Sequence, residues 1–249
     1  MEKVNFKNSR GLNLVGDFYS ADSNAIIIMS HGFTGDRHEG GTFDRTAEAL
    51  QFAGNSVLNF DFSGSGESDD AFLTIENETD DAHCAVKYVQ NKGYTDIGLL
   101  GFSLGARIAA KVYDNKIKTM VFWSPVTHPY PFKDLRERFT EEQLTELEKN
   151  GYFTYTRDKG IRKKFIVDKS VLDDRARANP KDILSHIPCP VLILQGDKDE
   201  LVPLEGSEKA MPYLSLESRL IIVPGANHKF EGYLDELISS TVDWFKQYL

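Results

Sequence analysis

The sequence predicts an α/β fold, a mostly parallel sheet with helices on both faces, from three observations. Short apolar runs alternate with stretches of helical periodicity along most of the chain. The run at 25–30, AIIIMS, is apolar up to its last residue, as a strand covered on both faces requires. The 249 residues, 41% hydrophobic and 27% charged, are enough to bury a sizeable core without staples.

The elements follow in order. Residues 4–7 and 12–19 flank Asn8-Ser9-Arg10-Gly11 and read as a hairpin at one sheet edge. After the strand 25–30, Phe43, Ala47, Leu50 and Phe52 mark a helix over 42–53. Strand 56–60 precedes a helix over 74–91 with Ala82, Ala85, Val86 and Val89 on one side. Strand 97–100, helix 104–113 and strand 118–123 come next. Alternation then breaks over 125–187. That segment holds a helix with the capping pattern Thr140-Glu141-Glu142-Gln143 and a stop at Gly151. A hairpin of 152–157 with 161–167 follows it. Strand 191–194, helix 205–212, strand 219–223 and a closing helix over 230–248 resume the alternation. The interruption reads as a lid inserted into a single domain spanning 1–249.

A net charge of −9 and a pI near 5.2 argue against nucleic acid or an anionic membrane as the main partner. No apolar run approaches the roughly 18 residues that span a bilayer. The start, MEKVNFKNSRGL, has no apolar core of a signal peptide, so a cytoplasmic protein is expected. Cys84 and Cys189 are spaced for neither a metal site nor an obvious disulfide and read as reduced thiols.

The stretch TDIGLLGFSLGARIAA sets Ser103 between Gly101 and Gly105 where a strand hands over to a helix. A sharp turn there lifts the hydroxyl above the carboxyl edge of the sheet, and small flanking residues let it do so. A serine hydroxyl needs a base to become a nucleophile. His228, in PGANHKF after the last strand, lies on the same edge and is the candidate. The orienting carboxylate should follow another strand, and both Asp197 and Asp199 of QGDKDELVP qualify by position. Oxyanion donors are expected from the backbone N–H groups of Leu104 and of Phe33, in SHGFTGDRHEGG. His31 reads as a loop-shaping residue. Asp61 reads as the tie of a glycine-rich turn. Gly64 and Gly66 are followed by no Gly-Lys-Ser/Thr and make no phosphate loop.

HGFTG, DFSGSGESD, GFSLGA, GDKDELVP and GANH stand in an order that resembles the α/β-hydrolase superfamily, from residue 25 to the C-terminus apart from the insertion. The HGFTG opening, the leading strands, the length and the insertion resemble, more narrowly, small bacterial cinnamoyl or feruloyl esterases. The resemblance implies an α/β-hydrolase fold and carboxylic-ester hydrolysis through an acyl-enzyme, with no cofactor and no metal. Its D-x-x-V-P spacing maps the acid onto Asp199. The chain departs from the family at Ser65, where histidine is frequent.

The insertion carries 13 Lys+Arg against 11 Asp+Glu, a net of +2, while the rest of the chain carries −11. Arg157, Lys159, Arg162, Lys163, Lys164 and Lys169 form a basic cluster, read as a solvated hairpin surface or as a lure for acidic substrates. Tyr130, Phe132, Tyr152, Phe153 and Tyr155 either line a substrate pocket or form the core of the lid. Trp123, at a strand end, is a further candidate for substrate contact. A thioesterase, an acylglycerol lipase or an acyltransferase would keep the same three residues. A ligand receptor on this fold would be expected to have lost some of them. A small-molecule ester is the expected partner, and a homodimer is compatible with the sequence.

Overall fold

Eight strands form one sheet in the computed structural model, which describes residues 1–129 and 138–249. They are β1 (Glu2–Lys7), β2 (Asn13–Tyr19), β3 (Ala25–Ser30), β4 (Ser56–Phe60), β5 (Asp96–Phe102), β6 (Ile117–Trp123), β9 (Val191–Gly196) and β10 (Arg219–Val223). The spatial order is β1-β2-β4-β3-β5-β6-β9-β10. β2 pairs antiparallel with both β1 and β4, and the other pairings are parallel. The leading hairpin therefore sits at one edge, as expected from its place ahead of the alternating elements. At its turn the Asn8 side chain accepts the N–H groups of Arg10 (3.1 Å) and Leu12 (2.9 Å).

The parallel strands are apolar on both faces because both faces are covered. Ile26, Ile28, Leu58 and Leu99 pack on one side with α2 (Ile75–Asn91) and α3 (Leu104–Lys111). Ile27, Met29, Val57 and Leu100 pack on the other with α1 (Thr42–Phe52) and the closing helix α8 (Leu234–Tyr248). With the central strands parallel, their following loops gather at one edge, where clefts of such sheets form.

Between β6 and β9 the chain adds α4 (Glu141–Asn150), a hairpin of β7 (Tyr152–Thr156) with β8 (Lys164–Asp168), α5 (Lys169–Ala176) and α6 (Pro180–Leu184). The capping box is formed: Thr140 Oγ1 accepts from the Gln143 N–H and Gln143 Oε1 from the Thr140 N–H. Gly151 stops the helix at φ 76°. Periodicity does not mark α5 and α6, because each buries one adjacent pair, Val171 with Leu172 and Ile183 with Leu184, and no repeating stripe. The hairpin is joined to the main body: Leu73 N–H donates to Ile166 O (2.9 Å) and Asp168 N–H to Leu73 O (3.1 Å).

No helix among the described residues is long and apolar enough to cross a membrane. Between them, α7 (Leu204–Ala210) links β9 to β10 in the expected place.

Candidate active site

Ser103 sits on the turn between β5 and α3 at φ 55°, ψ −114°, a region an L-residue adopts only under constraint. The turn is held by Ser103 N–H donating to Trp123 O (2.8 Å) and by Val126 N–H donating to Ser103 O (3.3 Å). The flanking glycines are required by contact. A Cβ at Gly101 would strike the backbone of Ala106, and one at Gly105 the carbonyls of Ser30 and His31. The α3 helix thus lies directly against the end of β3.

The loops after β9 and β10 bring the other two groups to Ser103. His228 Nε2 is 3.2 Å from Ser103 Oγ, and His228 Nδ1 is 2.8 Å from Asp199 Oδ2. The Phe102 ring lies 5.0 Å from the imidazole, centroid to centroid. Asp199 Oδ1 accepts the N–H groups of Leu201 (2.9 Å) and Val202 (2.8 Å), and Oδ2 also accepts Gln195 Nε2 (2.8 Å). Burial opposes the charge on Asp199. The bond from His228, the attraction to its ring and the Val202 N–H outweigh it and hold the carboxyl below its usual range. Asp197, the other acid open by position, instead accepts the Gly225 N–H (2.7 Å) and ties the β10 loop to the β9 loop.

Leu104 opens α3, so its N–H has no acceptor within the helix. Phe33 lies on the loop after β3. Gly32 in that loop abuts Phe102, the neighbour of Ser103: a Cβ there would meet the ring at 3.2 Å. His31 is buried and shapes the loop, Nδ1 donating to Gly32 O (2.9 Å) and Nε2 accepting from the Phe62 N–H (3.2 Å). Both bonds together need the neutral ring, and burial lowers its pKa in that direction. Asp61 accepts from Arg37 and from the Glu67 N–H, and Gly66 packs on its carboxylate, so it ties the turn as expected.

The aromatic candidates separate. Tyr155 lies 5.9 Å from the Phe33 ring and is half-buried. Phe153 does not face an open pocket: it is fully buried, edge-on to Phe139 at 5.0 Å, among Leu147, Phe165 and Val167. Tyr152 points to the other face of the hairpin, against Phe72 at 5.3 Å. Trp123 is a correction. It is 1% exposed, its Nε1–H donates to Thr241 Oγ1 (3.0 Å), and it packs on Phe43, in the core layer under α1 and α8. The carbonyl of Trp123 serves the Ser103 turn while its ring points away. Tyr130 and Phe132 lie outside the described residues.

The basic cluster also changes meaning. Arg157 pairs with Asp36 (2.8 Å), and Arg162 pairs with Asp70 and donates to Ser68 O (2.6 Å). These two guanidiniums fasten the hairpin to the main body. Lys159, Lys163, Lys164 and Lys169 are exposed.

Gln195 is a site residue the sequence search passes over. It is buried, donates to Asp199 Oδ2 and to Val202 O (3.1 Å), and accepts from Ser207 Oγ (2.9 Å). A lone amide ending the apolar run VLILQG is the signal that could find it.

Among the described residues, Asp17, His38 and Asp44 bring potential metal-ligand atoms within 4.8 Å of one another. Asp17 already accepts Arg37 Nε (2.8 Å) and His38 Nδ1 bonds Asp44 (2.8 Å). A second cation beside that guanidinium is disfavoured.

Residues 27–236 match the model of the Alpha/beta hydrolase family. A monoglyceride lipase homolog from Monkeypox virus is 25% identical over 241 residues, covering 88% of this chain and 86% of the relative. Est1E from Butyrivibrio proteoclasticus, solved with ferulic acid bound, superposes with a TM-score of 0.78 at 20% identity, over 98% of each chain. An esterase from Pyrococcus furiosus gives 0.78 at 20% identity, over 99% of this chain and 91% of its own. The match spans most of the chain, from β3 through the loop that carries His228 into α8, and the chain belongs to the alpha/beta hydrolase family.

Proposed function

We propose that the protein is a serine hydrolase of carboxylic esters, working through an acyl-enzyme. The observation that carries this is the chain of contacts from Ser103 Oγ to His228 Nε2 (3.2 Å) and from His228 Nδ1 to Asp199 Oδ2 (2.8 Å). Ser103 Oγ attacks the ester carbonyl while its proton passes to His228 Nε2. Asp199 keeps the imidazole in the Nδ1–H tautomer and stabilises the imidazolium. The N–H groups of Phe33 and Leu104 receive the oxyanion. Collapse breaks the C–O bond, and His228 returns the proton to the departing alcohol. Water then attacks the acyl-enzyme, its proton goes to His228, and the acid leaves as Ser103 recovers its hydrogen. The insertion over 125–187 acts as the lid and selects the acyl group.

Hydroxycinnamoyl esters are the preferred substrate class in this reading, supported by the motif resemblance and by the superposition on a ferulic acid complex. Tyr155 beside Phe33 supplies an aromatic wall for such a group. An acylglycerol preference is the second reading, favoured by the viral relative.

Turnover of methyl ferulate, methyl caffeate, p-nitrophenyl butyrate and a monoacylglycerol, compared by kcat/KM, separates the two readings. A hydroxycinnamate preference of about tenfold or more, roughly 1.4 kcal/mol, supports the first. The reverse order replaces it with the second. Ser103→Ala should remove turnover and fluorophosphonate labelling while leaving the unfolding midpoint unchanged. Esterase activity near wild type in that variant would refute the nucleophile.

A further inference from the structure

Glu39 lies eight residues past His31, in the stretch that carries Phe33 but with no role assigned so far, and its carboxyl turns back into the loop. Its Oε1 accepts the Gly32 N–H at 2.7 Å. The backbone is bent to permit this. Glu39 has φ 44°, followed by Gly40 at 66° and Gly41 at 95°, and its own N–H donates to Asp36 O (3.0 Å). A non-glycine residue held at positive φ is uncommon and points to a constraint the fold has kept. Gly35 supplies the room: a Cβ there would strike Glu39 Oε1 and the Gly32 carbonyl.

The consequence follows from the rigidity of the peptide plane. Gly32 C=O and Phe33 N–H belong to one trans peptide and point in opposite directions. The carbonyl is fixed from two sides, by Gly35 N–H (2.9 Å) and by His31 Nδ1 (2.9 Å). Glu39 fixes the N–H of the same glycine. With both ends of Gly32 held, the direction of the Phe33 N–H is set before any substrate arrives. Preorganised donors of this kind are what oxyanion stabilisation requires.

We propose that Glu39 is a positioning residue for the oxyanion site, holding Gly32 so that the Phe33 N–H faces the developing charge. This rests on the serine-hydrolase reading above. The charge on such a group matters, because an anion one peptide away would oppose the oxyanion. Burial pushes the Glu39 carboxyl up to about 7; the Gly32 N–H bond, which favours the anion, opposes the rise most, Asp36 adds to it, and Arg157 and Lys229 oppose it. A neutral carboxyl still accepts the Gly32 N–H through its carbonyl oxygen, and glutamine offers the same oxygen in the same place.

The test compares Glu39→Ala and Glu39→Gln with wild type on p-nitrophenyl butyrate. It adds inhibition by a trifluoromethyl ketone, whose adduct with a serine puts an oxyanion in the site, and unfolding midpoints for each protein. Alanine should lower kcat by about 10- to 100-fold, somewhat less than losing a donor outright. KM should stay within about twofold, and trifluoromethyl ketone affinity should fall by the same factor as kcat/KM. Glutamine should restore kcat to within about threefold of wild type. Wild-type kcat in the alanine variant overturns the proposal, and so do equal losses in both variants or a loss confined to KM. Fluorophosphonate labelling of wild type at Ser103 runs alongside. Its absence overturns the serine reading and the proposal with it, whereas labelled wild type with a fully active alanine variant overturns only the role of Glu39.

Discussion

Asp199 accepts hydrogen bonds at both carboxyl oxygens, and one of them comes from Gln195, a side chain the sequence reading gave no role. Gln195 donates to the same Oδ2 that receives His228 Nδ1, so it fixes the carboxylate plane against which the imidazole orients. Replacing Gln195 by leucine should lower kcat by about tenfold or more with KM little changed, since it disturbs alignment and not substrate contact. A rise in KM at constant kcat would contradict that account. Asp199 also has a stability consequence. Its folded pKa lies below the unfolded value, so its contribution is complete above the ordinary carboxylate range and disappears as pH falls through the lower folded value. At this scale Ser103, His228 and the glycines were legible, because their chemistry and spacing are local. Asp197 and Asp199 were indistinguishable by position, since only tertiary contact shows which one meets His228 and which one meets Gly225. Trp123 was misjudged for a similar reason: a strand end has two faces, and the sequence names the residue but not the side its ring takes.

The helix α2 shows what periodicity reads well and what it hides. Ala82, Ala85, Val86 and Val89 form the stripe that predicts it, Ile75 joins them in the buried face, and Thr74 caps the helix by accepting the Asn77 N–H. The same buried face carries Glu78 and Asp81. Asp81 is accounted for by bonds from Asn8, Arg10 and Ser63. Glu78 is 3% exposed, and burial, with Asp81 nearby, pushes its carboxyl up to about 8. A raised folded pKa in an acid means the native state binds more protons than the unfolded state between the two values. Glu78 therefore costs stability progressively as pH rises from the ordinary carboxylate range to about 8. Glu78→Gln should be more stable than wild type at pH 8, and the advantage should shrink toward pH 4.5, measured by urea unfolding across that range. A difference that does not change with pH would show that the carboxyl does not titrate there. The helices α5 and α6 were illegible for the opposite reason, since each is short and held by a cap and one buried pair.

For the molecule as a whole, the alternation of strands and helices was readable because a two-faced parallel sheet imposes it over most of the chain. The attachment of the insertion was not readable, because it depends on contacts between segments about 90 to 120 residues apart. Leu73 and the β8 strand exchange backbone hydrogen bonds, and Arg157 and Arg162 reach Asp36 and Asp70 from the same hairpin. Hydrogen exchange followed residue by residue should therefore find the Leu73 and Asp168 amides protected on the scale of the main sheet. Exchange of both at the rate of an exposed hairpin would show that the insertion swings as a separate flap. The ladder also bears on recombination. A segment laced into its host by main-chain bonds cannot be exchanged between relatives as a cassette cut at its two ends. A chimera that imports a foreign insertion would have to bring residues equivalent to Asp36, Asp70 and Leu73 with it, and these lie far upstream of the splice points.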